Sequence, residues 1–159
     1  MKSKLSSVME DYLETIAMLK KRGDGVVRVR DISALLNVKS PTVNAALKTL
    51  SVKGYVVHER YGYVTLTVKG EEKAYDIQRK HDMLFKFLTD ILGVDRHTAS
   101  FDACKMEHAI SPKTSIRLTK FIEFSEEGLN KENPQWLKNF KHYLETGKKP
   151  SCNMRKVKK

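Results

Sequence analysis

Residues 29–54, VRDISALLNVKSPTVNAALKTLSVKG, constrain the fold most. Two apolar stripes at helical spacing are separated by only a few residues, and Asn37 and Gly54 stand where helices end. In the second stripe Val43, Ala46, Leu47 and Leu50 share one face, Ser40 can cap, Pro41 suits the first helical position and Gly54 stops the helix. The first is a short helix over 31–37, with Asp31 as N-cap or first-turn acid. Two short helices about a tight turn form a helix-turn-helix. Before them SVMEDYLETIAMLKK, 7–21, predicts an amphipathic helix ended by the RGDG turn. After them YVVHERYGYVTLTVKG predicts two strands about a tight RYG turn. Helix, helix-turn-helix and two-stranded hairpin together make a winged helix-turn-helix, whose second helix, here 41–53, enters the DNA major groove.

The residues of that helix suit the task. Lys39, Ser40, Pro41, Thr42 and Asn44 lie at its N-terminal end, where hydroxyls and backbone N–H groups meet phosphate oxygens. Pro41 and Thr42 offer apolar contact to a thymine methyl, and Asn44 can reach a base edge. Arg28, Arg30, Lys48 and Lys53 are expected on the DNA backbone, and Arg60 and Tyr61 at the wing tip. The formal charge of +11 fits a polyanionic partner. Taken singly, each of these residues reads equally well as a helix cap or a solvated lysine; the order of elements together with the charge carries the reading.

The second half is helical throughout. A long helix is expected from about Glu71 to Leu92, with Ala74, Ile77, His81, Leu84, Phe85, Leu88 and Ile91 inward. Three more follow: one in GVDRHTASFDACKMEHAI, one opened by Ser111 and Pro112, and one over about 134–145. The expected fold class is mainly α: a winged helix-turn-helix domain over 1–70, an all-helical metal-binding and dimerisation domain over 71–147, and a basic tail, 148–159, expected to be disordered. The tail has six basic residues and no acid. No run of 18 apolar residues exists, and the N-terminus has no apolar core of a secretory signal, so no membrane span or export is expected. Two distant cysteines, Cys104 and Cys152, suit a reducing cytoplasm rather than a disulfide framework.

ACKMEH, 103–108, puts Cys104, Glu107 and His108 at i, i+3 and i+4, on one helix face. The first helix offers Asp11 and Glu14 at i and i+3, and the long helix offers His81 within an apolar stripe. Carboxylates, imidazoles and one thiol form a mixed hard and borderline donor set, suited to Fe2+ or Mn2+ with Co2+, Ni2+ and Zn2+ as surrogates. Short-spaced Cys or His pairs of a zinc finger are missing from the sequence. The blander reading has Asp11 and Glu14 favouring a helix N-terminus and His81 as a buried imidazole.

These stretches carry a resemblance. MEDYLETIAML, VRDISALLNVKSPTVNAALKTL, GYVTLTVKGEEKA, RKHDMLFKFLTDILGVD and DACKMEHAIS together resemble the diphtheria-toxin-repressor family of metal-dependent transcription repressors, over residues 8 to about 124. The resemblance implies a homodimer that binds palindromic operators when loaded with divalent metal. It matches Asp11, Glu14, His81, Glu107 and His108 to ligands of the manganese branch. Cys104 departs from that branch, which has glutamate there, and matches the iron branch; Asp11 departs from the iron branch, which has methionine. The iron branch adds an ancillary site that His81 fits, but Phe85 and Ser100 stand where its other ligands, Glu and His, would be. No SH3-like third domain, as the iron branch has, is expected within these 159 residues. A thiolate at 104 shifts preference from manganese toward iron, so Fe2+ is expected first and Mn2+ as the alternative.

Three other classes make different demands on the sequence. A winged-helix regulator responding to a non-metal ligand predicts the same DNA-binding surface without metal dependence. A phosphodiester-cleaving metalloenzyme needs open coordination positions and a spare base, which the sequence does not supply, so no enzyme activity is expected. An RNA-binding protein would want an aromatic stacking platform.

Overall fold

Helix α1, Ser7–Arg22, turns Tyr12, Leu13, Thr15 and Ile16 inward, with Met9 and Leu19 at the edges of that stripe. The computed structural model of the chain describes residues 5–22, 26–59, 63–129 and 134–149. Its contacts divide the chain into two units, Met1–His81 and Asp82–Lys159.

In the first unit β1 (Val27–Arg28) leads into α2 (Val29–Leu36), α3 (Ser40–Val52), β2 (Val56–His58), β3 (Tyr63–Leu66) and α4, which begins at Val68. Asn37 ends α2 in the left-handed region at φ 52°, which an asparagine tolerates. Gly54, at φ +74°, ends α3 as expected. The expected stripe of α3 is borne out: Val43, Leu47 and Leu50 are fully buried and Ala46 nearly so. They pack with Leu13, Ile16, Ile32, Val27, Val56 and Val64 into one core, each large apolar side chain contributing about 1.5–3 kcal/mol.

Three local expectations are corrected. The wing has three strands in the order β1-β3-β2, because Val27 and Arg28 pair antiparallel with Val64 and Tyr63; two residues are too few to show a period of two. Ser40 does not cap α3. Lys39 is the cap residue, extended and without a side-chain bond, and its carbonyl accepts from the N–H groups of Thr42 (2.9 Å) and Val43 (3.3 Å), so Ser40 is already helical. The long helix starts at Val68 rather than Glu71, since the Gly70 N–H donates to Thr67 Oγ1 at 3.1 Å. Gly70 is thus helical and buried, and a Cβ there would meet the Tyr55 carbonyl oxygen at 2.0 Å. The turns at 23–25 and 60–62 lie outside the described residues.

α4 (Val68–Lys86) crosses the boundary between the units and passes into a π-helical turn, Phe87–Ile91. The second unit continues with α5 (Arg96–Ala109), α6 (Pro112–Leu129) and α7 (Gln135–Thr146). Ser111 caps α6 as expected, its Oγ accepting from the Thr114 N–H at 3.2 Å. Met83, Leu84, Leu88, Ala99, Ala103 and Ile122 form the core of this unit. Phe121 lies between Phe87 and Trp136, with ring centroids 6.1 and 5.9 Å away. Residues 150–159, most of the basic tail, lie outside the described residues.

Candidate metal centre and nucleic-acid surface

The donors of the first unit sit on α1 and α4. Leu13 and Ile16 anchor α1 in the core, which leaves Asp11 and Glu14 half-buried at its margin. Ala74 and Ile77 anchor α4 in the same way and hold His81 half-buried one turn beyond. A carboxylate oxygen of Glu14 and a ring nitrogen of His81 come within 4.8 Å of each other, close enough to share one ion; Asp11 does not join that grouping.

The second unit supplies the rest from α5. Glu107 is 1% exposed. His108 is half-buried, its Nε2 3.4 Å from Glu107 Oε1. Cys104, one helical turn earlier, presents an exposed thiol. A buried carboxylate beside an imidazole fits an iron- or manganese-type cation, because both are donors such an ion accepts; Cys104, like Asp11, does not join the donor grouping found among the described residues.

Sequence reasoning missed two groups that position these donors. Glu10, beside Asp11, is 2% exposed and pairs with Lys73 Nζ at 2.5 Å. Lys20 pairs with Glu71 at 2.6 Å. Both pairs tie α1 to α4, and only their long sequence separation hid them. Asp95 was readable, an acid just before a helical pattern: it caps α5 by accepting from the N–H groups of His97 (3.1 Å) and Thr98 (3.0 Å). These hydrogen bonds, the Thr98 side chain foremost, hold its carboxyl below the usual range.

The expected DNA-facing residues are accessible. Lys39, Ser40, Pro41, Thr42, Asn44 and Lys48 are all exposed on α3, opposite its buried stripe. Arg28 is exposed on β1, its guanidinium 5.5 Å from the centre of the Tyr63 ring, and exposed Arg30 lies 3.4 Å from Asp31. Lys53 is half-buried, and its carbonyl accepts from Lys69 Nζ at 2.6 Å. Arg60 and Tyr61 lie outside the described residues. No helix among the described residues is long and apolar enough to cross a membrane.

Residues 4–64 match the family described as iron dependent repressor, N-terminal DNA binding domain, and residues 67–136 match iron dependent repressor, metal binding and dimerisation domain. The chain is 41% identical over 119 residues to the uncharacterized HTH-type transcriptional regulator MJ0568 of Methanocaldococcus jannaschii, covering 75% of this chain and 95% of that one. It is 34% identical over 119 residues to the HTH-type transcriptional regulator MntR of Lysinibacillus sphaericus, covering 75% and 84%. Among solved structures it is similar to a manganese-dependent transcriptional repressor in complex with manganese, with a TM-score of 0.67, 28% identity and coverage of 73% of this chain and 53% of that one. The chain thus spans about half the length of that solved repressor. With both family domains matched in order and the two curated regulators covered over 95% and 84% of their lengths, the chain belongs to the iron-dependent repressor family of metal-dependent transcriptional repressors, which are regulators and not enzymes.

Proposed function

We propose that this chain represses metal-homeostasis genes by binding palindromic operators as a homodimer when loaded with a divalent ion, Fe2+ first and Mn2+ as the alternative. The observation that carries this reading is that both units of the chain present adjacent donors: Glu14 with His81 in the first, Glu107 with His108 in the second. Asp11 and Cys104 complete the proposed set. A bound divalent cation supplies positive charge that offsets the carboxylates, and a preferred coordination geometry. Asp11, Glu14, His81, Cys104, Glu107 and His108 would hold the ion, and its binding would favour the DNA-competent form of the dimer, which sets the distance between the two α3 helices. They must stand one turn of DNA apart, about 34–36 Å. Coupling of about 1–3 kcal/mol is typical of such switches.

The dimer contact is expected in the second unit, from FLTDILGV and the helix after it; Leu88, Leu92 and Val94 of that segment pack into the unit's own core. Phe101 on α5 and Ile116 and Phe124 on α6 are exposed, and we assign the dimer contact to them. Cys104 as a thiolate ligand suits a reducing cytoplasm.

The test is an anaerobic titration of Fe2+, Mn2+, Co2+ and Zn2+ into apoprotein by calorimetry, with Co2+ followed by absorption and operator binding by anisotropy. A cobalt–thiolate charge-transfer band lost in Cys104→Ala supports the iron-like set. Tight Mn2+ binding without that band selects the manganese-like set with Cys104 as a bystander. Operator affinity that does not change with metal removes the switch.

One observation favours a second reading. A cleft of about 400 Å3 in the first unit is lined by Ala17, Leu66, Ala74 and Tyr75, with Glu14, Lys20, Lys21, Glu71 and Gln78 as its polar groups. Its size and mainly apolar lining suit an organic ligand. Metal-independent operator binding that a small molecule alters would select this reading.

A further inference from the structure

Arg28 and Tyr63 stand directly opposite each other where β1 pairs with β3. Their neighbours Val27 and Val64, each 1% exposed, point into the core. By the alternation of a strand, Arg28 and Tyr63 lie on the outer face of the sheet, and both are exposed there. Residues opposite each other in an antiparallel pair have their Cβ atoms about 4.5–5.5 Å apart. A strand of two residues is therefore enough to bring the arginine to the ring: the Arg28 guanidinium carbon lies 5.5 Å from the centre of Tyr63.

The contact leaves the arginine's chemistry intact. Arg28 is the cap residue of α2, and its side chain makes no cap bond. Arg30, two residues on, shares its charge with Asp31 at 3.4 Å, whereas the Arg28 guanidinium leans on an uncharged ring. A ring attracts the cation without using its N–H donors, so all five remain for a phosphate. An exposed arginine gives up rotamer freedom when it grips a phosphate, and one already held by a ring gives up less.

We infer that Tyr63 is a positioning residue for DNA: its ring holds the Arg28 guanidinium in place for a phosphate of the duplex. The inference rests on the operator-binding reading above. Full-length chain loaded with Mn2+ first selects a duplex from a random pool, and the affinities of wild type and variants for that duplex are read by anisotropy across salt concentrations. Arg28→Ala is expected to lower the salt slope by about 0.9, the share of one phosphate. Tyr63→Val keeps a β-branched residue in the strand and removes the ring. It is expected to weaken binding about 2–5-fold, the range of an exposed cation–ring contact. Tyr63→Phe, which keeps the ring, is expected to bind as wild type does. In the Arg28→Ala background Tyr63→Val is expected to cost nothing further, which a merely structural role for the ring does not predict. Wild-type affinity in Tyr63→Val, a Tyr63→Phe variant as weak as Tyr63→Val, or a full further loss on top of Arg28→Ala would each overturn the inference. An Arg28→Ala salt slope equal to that of wild type would overturn it too, and that comparison stands even if Tyr63→Val does not fold. A wild-type chain that selects no duplex would remove the operator-binding reading, and the inference with it.

Discussion

Lys73 Nζ lies 2.5 Å from Glu10 Oε1, and Glu10 is 2% exposed although its neighbour Asp11 reaches the margin of the core. This buried pair joins α1 to α4, the helices that bring Glu14 and His81 together. Removing one member leaves a buried charge without its countercharge, which costs about 3–5 kcal/mol where the pair is fully enclosed. Lys73 is partly exposed, so Lys73→Met is expected to cost about 2–3 kcal/mol in urea unfolding, below the fully enclosed range. The double variant Lys73→Met/Glu10→Gln is expected to recover at least half of that loss. If the double is no more stable than the single, the pair is not what holds these helices.

Glu14→Ala and His81→Ala test the first-unit half of the metal set. Losing even an outer partner of a metal ligand costs about 10–100-fold in affinity, so each ligand removal is expected to weaken Co2+ and Mn2+ binding at least as much. Thermal unfolding of the apo forms should change little, because both side chains are only half-buried. Asn44→Ala serves as the control and should leave metal affinity unchanged. Glu14→Ala with unaltered affinity for both ions would remove Glu14 from the set.

Much of this was legible because helical periodicity is a local property. Val43, Ala46, Leu47 and Leu50 repeat at the helix period, and all four are buried. Asp11 with Glu14, and Cys104 with Glu107 and His108, were readable as same-face sets for the same reason. Relations between distant elements were not visible. Nothing near Glu10 signals that Lys73 will cover it, and nothing near Val27 signals a strand, since β1 exists only through its pairing with β3. Ser40 failed as a cap because both Lys39 and Ser40 can begin the helix; the Lys39 carbonyl, accepting the first helical N–H groups, decided it.

Asp95 gives a pH dependence of known sign. Hydrogen bonds from Thr98, its side chain first, and from the His97 amide lower its pKa in the folded chain. A depressed folded pKa stabilises above the unfolded value, about 3.9, and the stabilisation is lost as pH falls through the folded value. Wild type is therefore expected to melt at a higher temperature than Asp95→Ala at neutral pH. The gap should narrow steadily below about pH 4. A gap constant from pH 7 to the acid limit, by calorimetry at several pH values, would mean the carboxylate charge does not stabilise α5.

The exposed face of α3 separates base reading from backbone contact. Asn44→Ala is expected to cost about 1–3 kcal/mol on the preferred operator and to relax preference at one base position, as loss of a base-edge contact does. Lys48→Ala is expected to weaken all sequences alike and to lower the salt slope by about one. Selected-site sequencing and anisotropy at several salt concentrations read both. A Lys48→Ala variant that changed the preferred sequence would reverse the two roles.

The charge distribution points to a separate contribution from the C-terminus. Residues 134–159 hold eight Lys or Arg and one acid, Glu145, so seven of the eleven excess positive charges lie there. Six of those basic residues fall within 148–159. The net charge therefore does not belong chiefly to the winged helix, and the two sources are separable. Each phosphate neutralised on duplex DNA adds about 0.9 to the slope of log affinity against log salt. Ending the chain at Gly147 is expected to lower that slope by as much as about 5 if all six basic residues touch phosphates. Non-specific duplex should lose proportionally more affinity than the operator, because charge is nearly all that holds it. The truncation leaves α7 whole and every proposed metal ligand in place, so metal stoichiometry should be unchanged. Equal slopes for the full and shortened chains would mean these charges stay solvated, and the polyanion contact would then rest on Lys39, Lys48, Arg28 and Arg30 of the first unit.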